Sequence, residues 1–134
     1  MGYEISREDQ KILRELAKKQ LEYANMPENV KRREEWYLHN DLKGERPMIH
    51  LEMATFEQEI LTDRMRCGGA FARQVEKQLY GNFLNQELFD DDRVTPDHFG
   101  MGYDTYFTLF GIPIHVQEAT DASGNKSDGH QFEH

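Results

Sequence analysis

Apolar residues recur every three or four positions over residues 12–24, at Ile12, Leu13, Leu16, Ala17, Leu21 and Ala24. That period predicts an amphipathic helix. Ser6 precedes it with Asp9 three residues on, a near match to a capping box. Pro27 then interrupts, and its fixed φ suits the first turn of a second helix reaching about Asn40. Val30, Arg33, Trp36, Tyr37 and Asn40 share the inner side of that helix, and Gly44 is its expected stop.

The period changes next. Residues 47–53 are short and bounded, which predicts a strand. Alternation puts Ile49, Leu51 and Met53 on one face and Met48, His50 and Glu52 on the other. Thr55 with Gln58 predicts a capped short helix over Ile60, Leu61 and Met65, broken at Cys67-Gly68-Gly69. Residues 70–89 form the clearest amphipathic helix, with Phe71, Val75, Leu79, Phe83 and Phe89 near one face and Gln86 among them. Asp90-Asp91-Asp92 closes it. Val94-Thr95-Pro96 reads as a short strand, and residues 103–110 and 112–116 as extended segments divided at Gly111. From Thr120 onward Asp, Ser, Gly and Asn predict a loop or a disordered tail.

Composition narrows the class. The chain has 134 residues, room for one domain, with 37% apolar and 31% charged residues and a mean hydropathy of -0.86. Its formal charge is -9, and all of it falls in residues 45–134, because residues 1–44 balance. That acidity repels nucleic acid, and the Lys31-Arg32-Arg33 cluster, followed by Glu34-Glu35, reads as a solvated helix face. No apolar run is long enough to span a membrane, and the charged opening is not a secretory signal. Cys67, the one cysteine, excludes an intrachain disulfide and a cysteine-rich zinc site, and fits a reducing, cytoplasmic setting.

Candidate chemistry is sparse. Met1-Gly2 with Ser6 loosely fits a myristoylation signal, but Ser6 is already explained as a cap. His130-Gln131-Phe132-Glu133-His134 fits an inverted zinc-peptidase pattern, yet follows a Gly- and Ser-rich stretch where no helix is expected to hold its geometry. Cys67 has no nucleophile signature around it. The Asp90-Asp91-Asp92 run has a ready partner in Arg93, which favours a structural or exposed role, with a site-lining role for one of the three as the alternative. His50 and Glu52 stand two apart on the expected strand, so both leave one face. They are either an acid–base pair in a pocket or residues of a wet edge.

The order of segments resembles a known group. Residues 6–23, Glu35-Trp36-Tyr37-Leu38-His39-Asn40, Gly44-Glu45-Arg46-Pro47-Met48-Ile49 followed by Leu51-Glu52-Met53, then Phe56-Glu57, Asp90-Asp91-Asp92-Arg93-Val94 and Phe110-Gly111-Ile112 carry the resemblance. The group is the bacterial proteins similar to uroporphyrinogen decarboxylase and the corrinoid-dependent methyltransferases, in an uncharacterised branch. The resemblance implies an α/β fold: N-terminal helices and the first part of a TIM (β/α)8 barrel, in a chain too short for a complete barrel. A helical extension at residues 1–44, the start of the barrel at 45–119 and a polar tail at 120–134 follow from it. A small stand-alone α+β domain is the alternative.

The same resemblance implies an N-terminal fragment, methyltransferase-like and not catalytically complete alone. Glu52 falls where a true porphyrinogen decarboxylase has its first substrate-facing arginine, which argues against that substrate. The barrel rule that catalytic groups cluster at strand C-terminal ends makes Glu52 and His50 the catalytic candidates. Asp91 is the substrate-binding candidate. No cofactor is expected in this chain, although corrinoid and zinc belong to full-length relatives. Expected partners are a small-molecule substrate or a corrinoid protein in the full-length form, with a homodimer as a further assembly. The competing expectation is a small acidic protein-interaction module without catalytic activity.

Overall fold

The computed structural model describes residues 3–102, 110–111, 116–120 and 126–132. They divide into two units, Met1–Gly100 and Met101–His134. The first unit contains four α-helices: α1 (Arg7–Ala24), α2 (Pro27–Asn40), α3 (Glu57–Leu61) and α4 (Ala70–Leu88), with a 3-10 turn, Ala54–Phe56, leading into α3. The second contains β1 (Val116–Thr120) and β2 (Lys126–Phe132), an antiparallel pair with Val116 opposite Phe132 and a register irregularity between Glu118 and Thr120.

Helix α1 begins as its sequence predicts. The Asp9 N–H donates to Ser6 Oγ at 3.0 Å. The Asp9 carboxylate does not return to the cap, however. It accepts from the Gly68 and Gly69 N–H groups at 2.9 and 3.1 Å, tying the start of α1 to the turn before α4. Along α1 the buried positions are Asp9, Leu13, Leu16, Gln20 and Ala24, while Leu21 is exposed. Helix α1 packs along α4, and the core gathers Leu13, Leu16, Met53, Leu61, Cys67, Ala72, Leu79, Tyr80, Phe83 and Leu84. Phe83 and Leu84 have no solvent exposure, and each contributes about 2 kcal/mol of burial.

Helix α2 has Pro27 at its first turn and ends earlier than Gly44. The Lys43 N–H reaches Leu38 O (2.8 Å) and the Leu42 N–H reaches His39 O (3.0 Å), the two bonds of a Schellman cap. Leu42 therefore occupies the left-handed position at φ 60°, where glycine is usual. The predicted box at Thr55 does not form either: α3 starts after Phe56, with no side-chain cap.

The barrel expectation is overturned. Residues 47–53 form no strand, and the helical unit has no sheet among its described residues. The described residues therefore hold no part of a TIM barrel. The stand-alone α+β alternative is not supported either, since the hairpin belongs to the other unit. The physical reason lies in how the extended segments satisfy their backbone. A barrel strand pairs with neighbouring strands, but here buried polar side chains, most of them on helices, take that role. Asn29, fully buried, receives the Thr95 N–H (2.8 Å) on Oδ1 and donates through Nδ2 to Thr95 O (3.0 Å) and Ala24 O (2.9 Å). Gln20 donates to Pro96 O and His98 O (2.8 and 3.0 Å). Glu76, also fully buried, accepts the Arg66 and Cys67 N–H groups at 2.8 and 2.9 Å. Residues 94–96 are thus held without being a strand.

The stretch from Thr120 onward includes β2, where a loop was expected. Strand pairing uses backbone groups that every non-proline residue carries, so a polar composition does not forbid it. The extended segments expected over 103–110 and 112–116 lie largely outside the described residues, apart from Phe110 and Val116.

Candidate functional site

The Asp run turns out to be the organising element of one end of the helical unit. Asp90 is exposed, whereas Asp91 and Asp92 are buried. The Asp92 carboxylate takes two hydrogen bonds from the Arg46 guanidinium (2.6 and 2.9 Å) and one from the Ile49 N–H (2.7 Å). Its own N–H donates to Ile49 O at 2.7 Å, and its carbonyl accepts the Trp36 indole N–H at 2.7 Å. Arg46 also reaches Glu35 at 2.8 Å. The Arg46 guanidinium holds the Asp92 carboxyl below the usual carboxylate range, against the opposing effect of burial. Asp91 accepts from the Leu51 N–H (3.0 Å), Asn85 Nδ2 (2.6 Å) and the Arg93 N–H (3.3 Å). The proposed substrate contact, Asp91, is therefore turned inward onto the protein's own donors.

His50 and Glu52 lie on the same backbone path. Because residues 47–53 are not a pleated strand, the two side chains do not share a face by alternation. Both are exposed. His50 lines a cleft of about 350 Å³ with Arg33, Trp36, Tyr37, Asn40, Arg93 and Val94, and Glu52 is not among these residues. Its Nε2 lies 3.2 Å from an Arg93 guanidinium nitrogen. A guanidinium only donates, so the contact needs Nε2 as acceptor and puts the proton of the neutral ring on Nδ1. Among the described residues no hydrogen bond joins His50 to Glu52, and of the two only His50 lines this cleft.

The cleft has a distinctive chemistry. Arg33, Arg93 and His50 supply nitrogen donors or positive charge, Trp36, Tyr37 and Val94 supply apolar surface, and no carboxylate is among the lining residues. In a chain of net charge -9 this is a local exception. The wall from α2 is the inner side read from the sequence, Arg33, Trp36, Tyr37 and Asn40, although it faces an open cleft rather than the core. The share of Arg93 was missed, because a residue after three aspartates reads as their counter-ion.

Other candidates are placed differently. Cys67 is buried at the α4 entrance, and desolvation beside Glu76 pushes its thiol up to about 12, which makes it a poor nucleophile. His130 lies in β2 rather than on a helix, while Glu133 and His134 lie outside the described residues. Among the described residues no group of three or more His, Cys, Asp or Glu side chains is placed to hold a metal ion. No helix among them is long and apolar enough to cross a membrane. No protein-family model matches the chain, and no curated protein or solved structure matches it.

Proposed function

We propose that the helical unit is a binding module that receives a small organic anion in the cleft between α2 and the segments around His50 and Arg93. The observation behind this reading is the pairing of two guanidinium groups with aromatic walls, free of lining carboxylates, in an otherwise acidic chain. Guanidinium groups bind carboxylate or phosphate oxygens through charge-assisted hydrogen bonds, and the apolar wall accepts the body of the molecule. The cleft volume, about 350 Å³, suits a ligand of modest size.

Trp36 is the one tryptophan in the chain and lines the cleft, so its fluorescence reports occupancy directly. Benzoate and phenyl phosphate should each change that emission saturably, whereas neutral benzamide should not. Arg33→Gln should weaken binding roughly tenfold or more, as expected for losing a charged hydrogen bond. Equal responses to benzoate and benzamide, or no saturable response to any of the three, would refute the proposal.

A second reading rests on the resemblance. Its segments 35–40 and 44–53 are far in sequence from 90–94, yet all three meet at Trp36, Arg46, Ile49 and Asp92. On this reading the unit is an N-terminal helical part of a methyltransferase-like protein of the uroporphyrinogen decarboxylase superfamily, inactive alone. A small-molecule substrate or a corrinoid protein would then be met by the full-length form. The DNA beyond the His134 codon tests this: an open frame with strand–helix repeats supports it, and an immediate stop codon rejects it.

A further inference from the structure

Asp92 touches none of the space in the cleft, yet three of the cleft's walls converge on it. Trp36 hangs from its carbonyl at 2.7 Å. The backbone next to His50 is fixed to it twice, by the Ile49 N–H on Oδ2 and by its own N–H on Ile49 O, both 2.7 Å. Arg93 is its chain neighbour, and the Arg93 guanidinium closes the circuit on His50 at 3.2 Å. Arg46 grips the same carboxylate from outside with two bonds and extends to Glu35 on α2. A carboxylate offers only acceptors, and every group facing this one is a donor. An amide there would set an NH2 group against Arg46 or against the Ile49 N–H.

We infer that Asp92 is the positioning residue of the anion cleft, fixing Trp36, His50 and Arg93 in one arrangement through its carboxylate and its two backbone bonds. This inference rests on the cleft being the binding site, and it deepens that reading by naming what holds the site in shape. It differs from a general stabilising role. Most of the core lies along α1 and α4, so loosening this junction should disturb the cleft well before the helices.

Asp92→Asn and Arg46→Gln separate these roles. Arg46 is half-exposed, and its replacement leaves the Asp92–Ile49 backbone bonds and the Trp36 bond in place, so that variant should fold even where Asp92→Asn does not. Trp36 fluorescence with acrylamide quenching reads the geometry without any ligand. Quenching should rise at least twofold in Asp92→Asn and less in Arg46→Gln, with helical circular dichroism unchanged. Arg46→Lys should recover part of the difference. In the benzoate titration, affinity should fall in the same order. Unchanged Trp36 quenching in both variants would overturn the inference whether or not benzoate binds. If the wild type binds benzoate and both variants bind it equally well, the inference fails while the binding proposal stands. If the wild type binds nothing, the binding proposal fails, and with it the inference in the form stated.

Discussion

Asn29→Ala is the sharpest test of the idea that side chains replace strand partners. Asn29 has no solvent exposure and makes three hydrogen bonds, at 2.8, 2.9 and 3.0 Å. Truncation leaves the Thr95 N–H, Thr95 O and Ala24 O without that partner. An unsatisfied buried group costs about 1–3 kcal/mol. Carbonyls keep a second lone pair and the site relaxes, so three such losses come to about 3–5 kcal/mol. Alanine's better helix propensity returns roughly 0.6 kcal/mol. The net expectation is a loss of about 2–4 kcal/mol, a large share of the ~5–15 kcal/mol typical of a domain. Urea unfolding followed at Trp36 measures it. With a slope of about 2 kcal/mol/M, the midpoint should fall by roughly 1–2 M. Asn29→Asp should be no better: it keeps an acceptor for the Thr95 N–H but sets a carboxylate oxygen against two carbonyls. A loss below 1 kcal/mol in Asn29→Ala would show that residues 94–96 are held by other means.

Leu42→Gly should stabilise the protein by about 0.5–1 kcal/mol: it removes the left-handed penalty of about 1–2 kcal/mol at a side chain already 95% exposed, less the entropy glycine adds to the unfolded chain. A lower melting temperature would contradict the Schellman assignment. Acid should weaken the fold through two carboxylates. Asp9, held low by the Gly68 N–H first, and Asp92, held low by Arg46 first, both have folded pKa values below the ordinary 3.8. Their contribution is complete above that value and is lost as pH falls below it. Thermal melts from pH 6 to pH 2.5 should show this loss, and Asp92→Asn should flatten the dependence. Cys67 should resist iodoacetamide at pH 8 in the native state and react once urea unfolds the chain; rapid native labelling would contradict its burial.

The helices were legible in the sequence, and the reason is local. Ser6, Pro27 and the Gly68-Gly69 break act within a turn of their own position, so α1, α2 and α4 start where those residues say. The faces were less legible. Asp9, Gln20, Glu76 and Asn85 are polar, so a hydrophobic period passes over them, yet each is buried while bonding to backbone outside its own helix. The expected strand at 47–53 failed for the same reason: its ladder was to come from other strands, whereas Asp91, Asp92 and Asn85 bind its backbone. Of the site candidates, His50 lines the cleft, Glu52 is not among its lining residues, and Asp91 faces inward. The α2 wall was visible as one side of a helix, but nothing local says that Arg93 returns to it.

Side chains that grip main-chain atoms are indifferent to what the gripped residue is. Asn29 recognises Thr95 by its peptide groups, Gln20 recognises Pro96 and His98 by their carbonyls, and the Asp92 carboxylate recognises Ile49 by its N–H. The gripped segments are therefore addressed by shape and not by identity. Positions such as Ile49, His50, Asp97 and His98, exposed along those segments, are free to drift in sequence without moving the chain beneath them. A fold tied in this manner lets natural variation rewrite the chemistry bordering the cleft while the helices that hold it stay as they are.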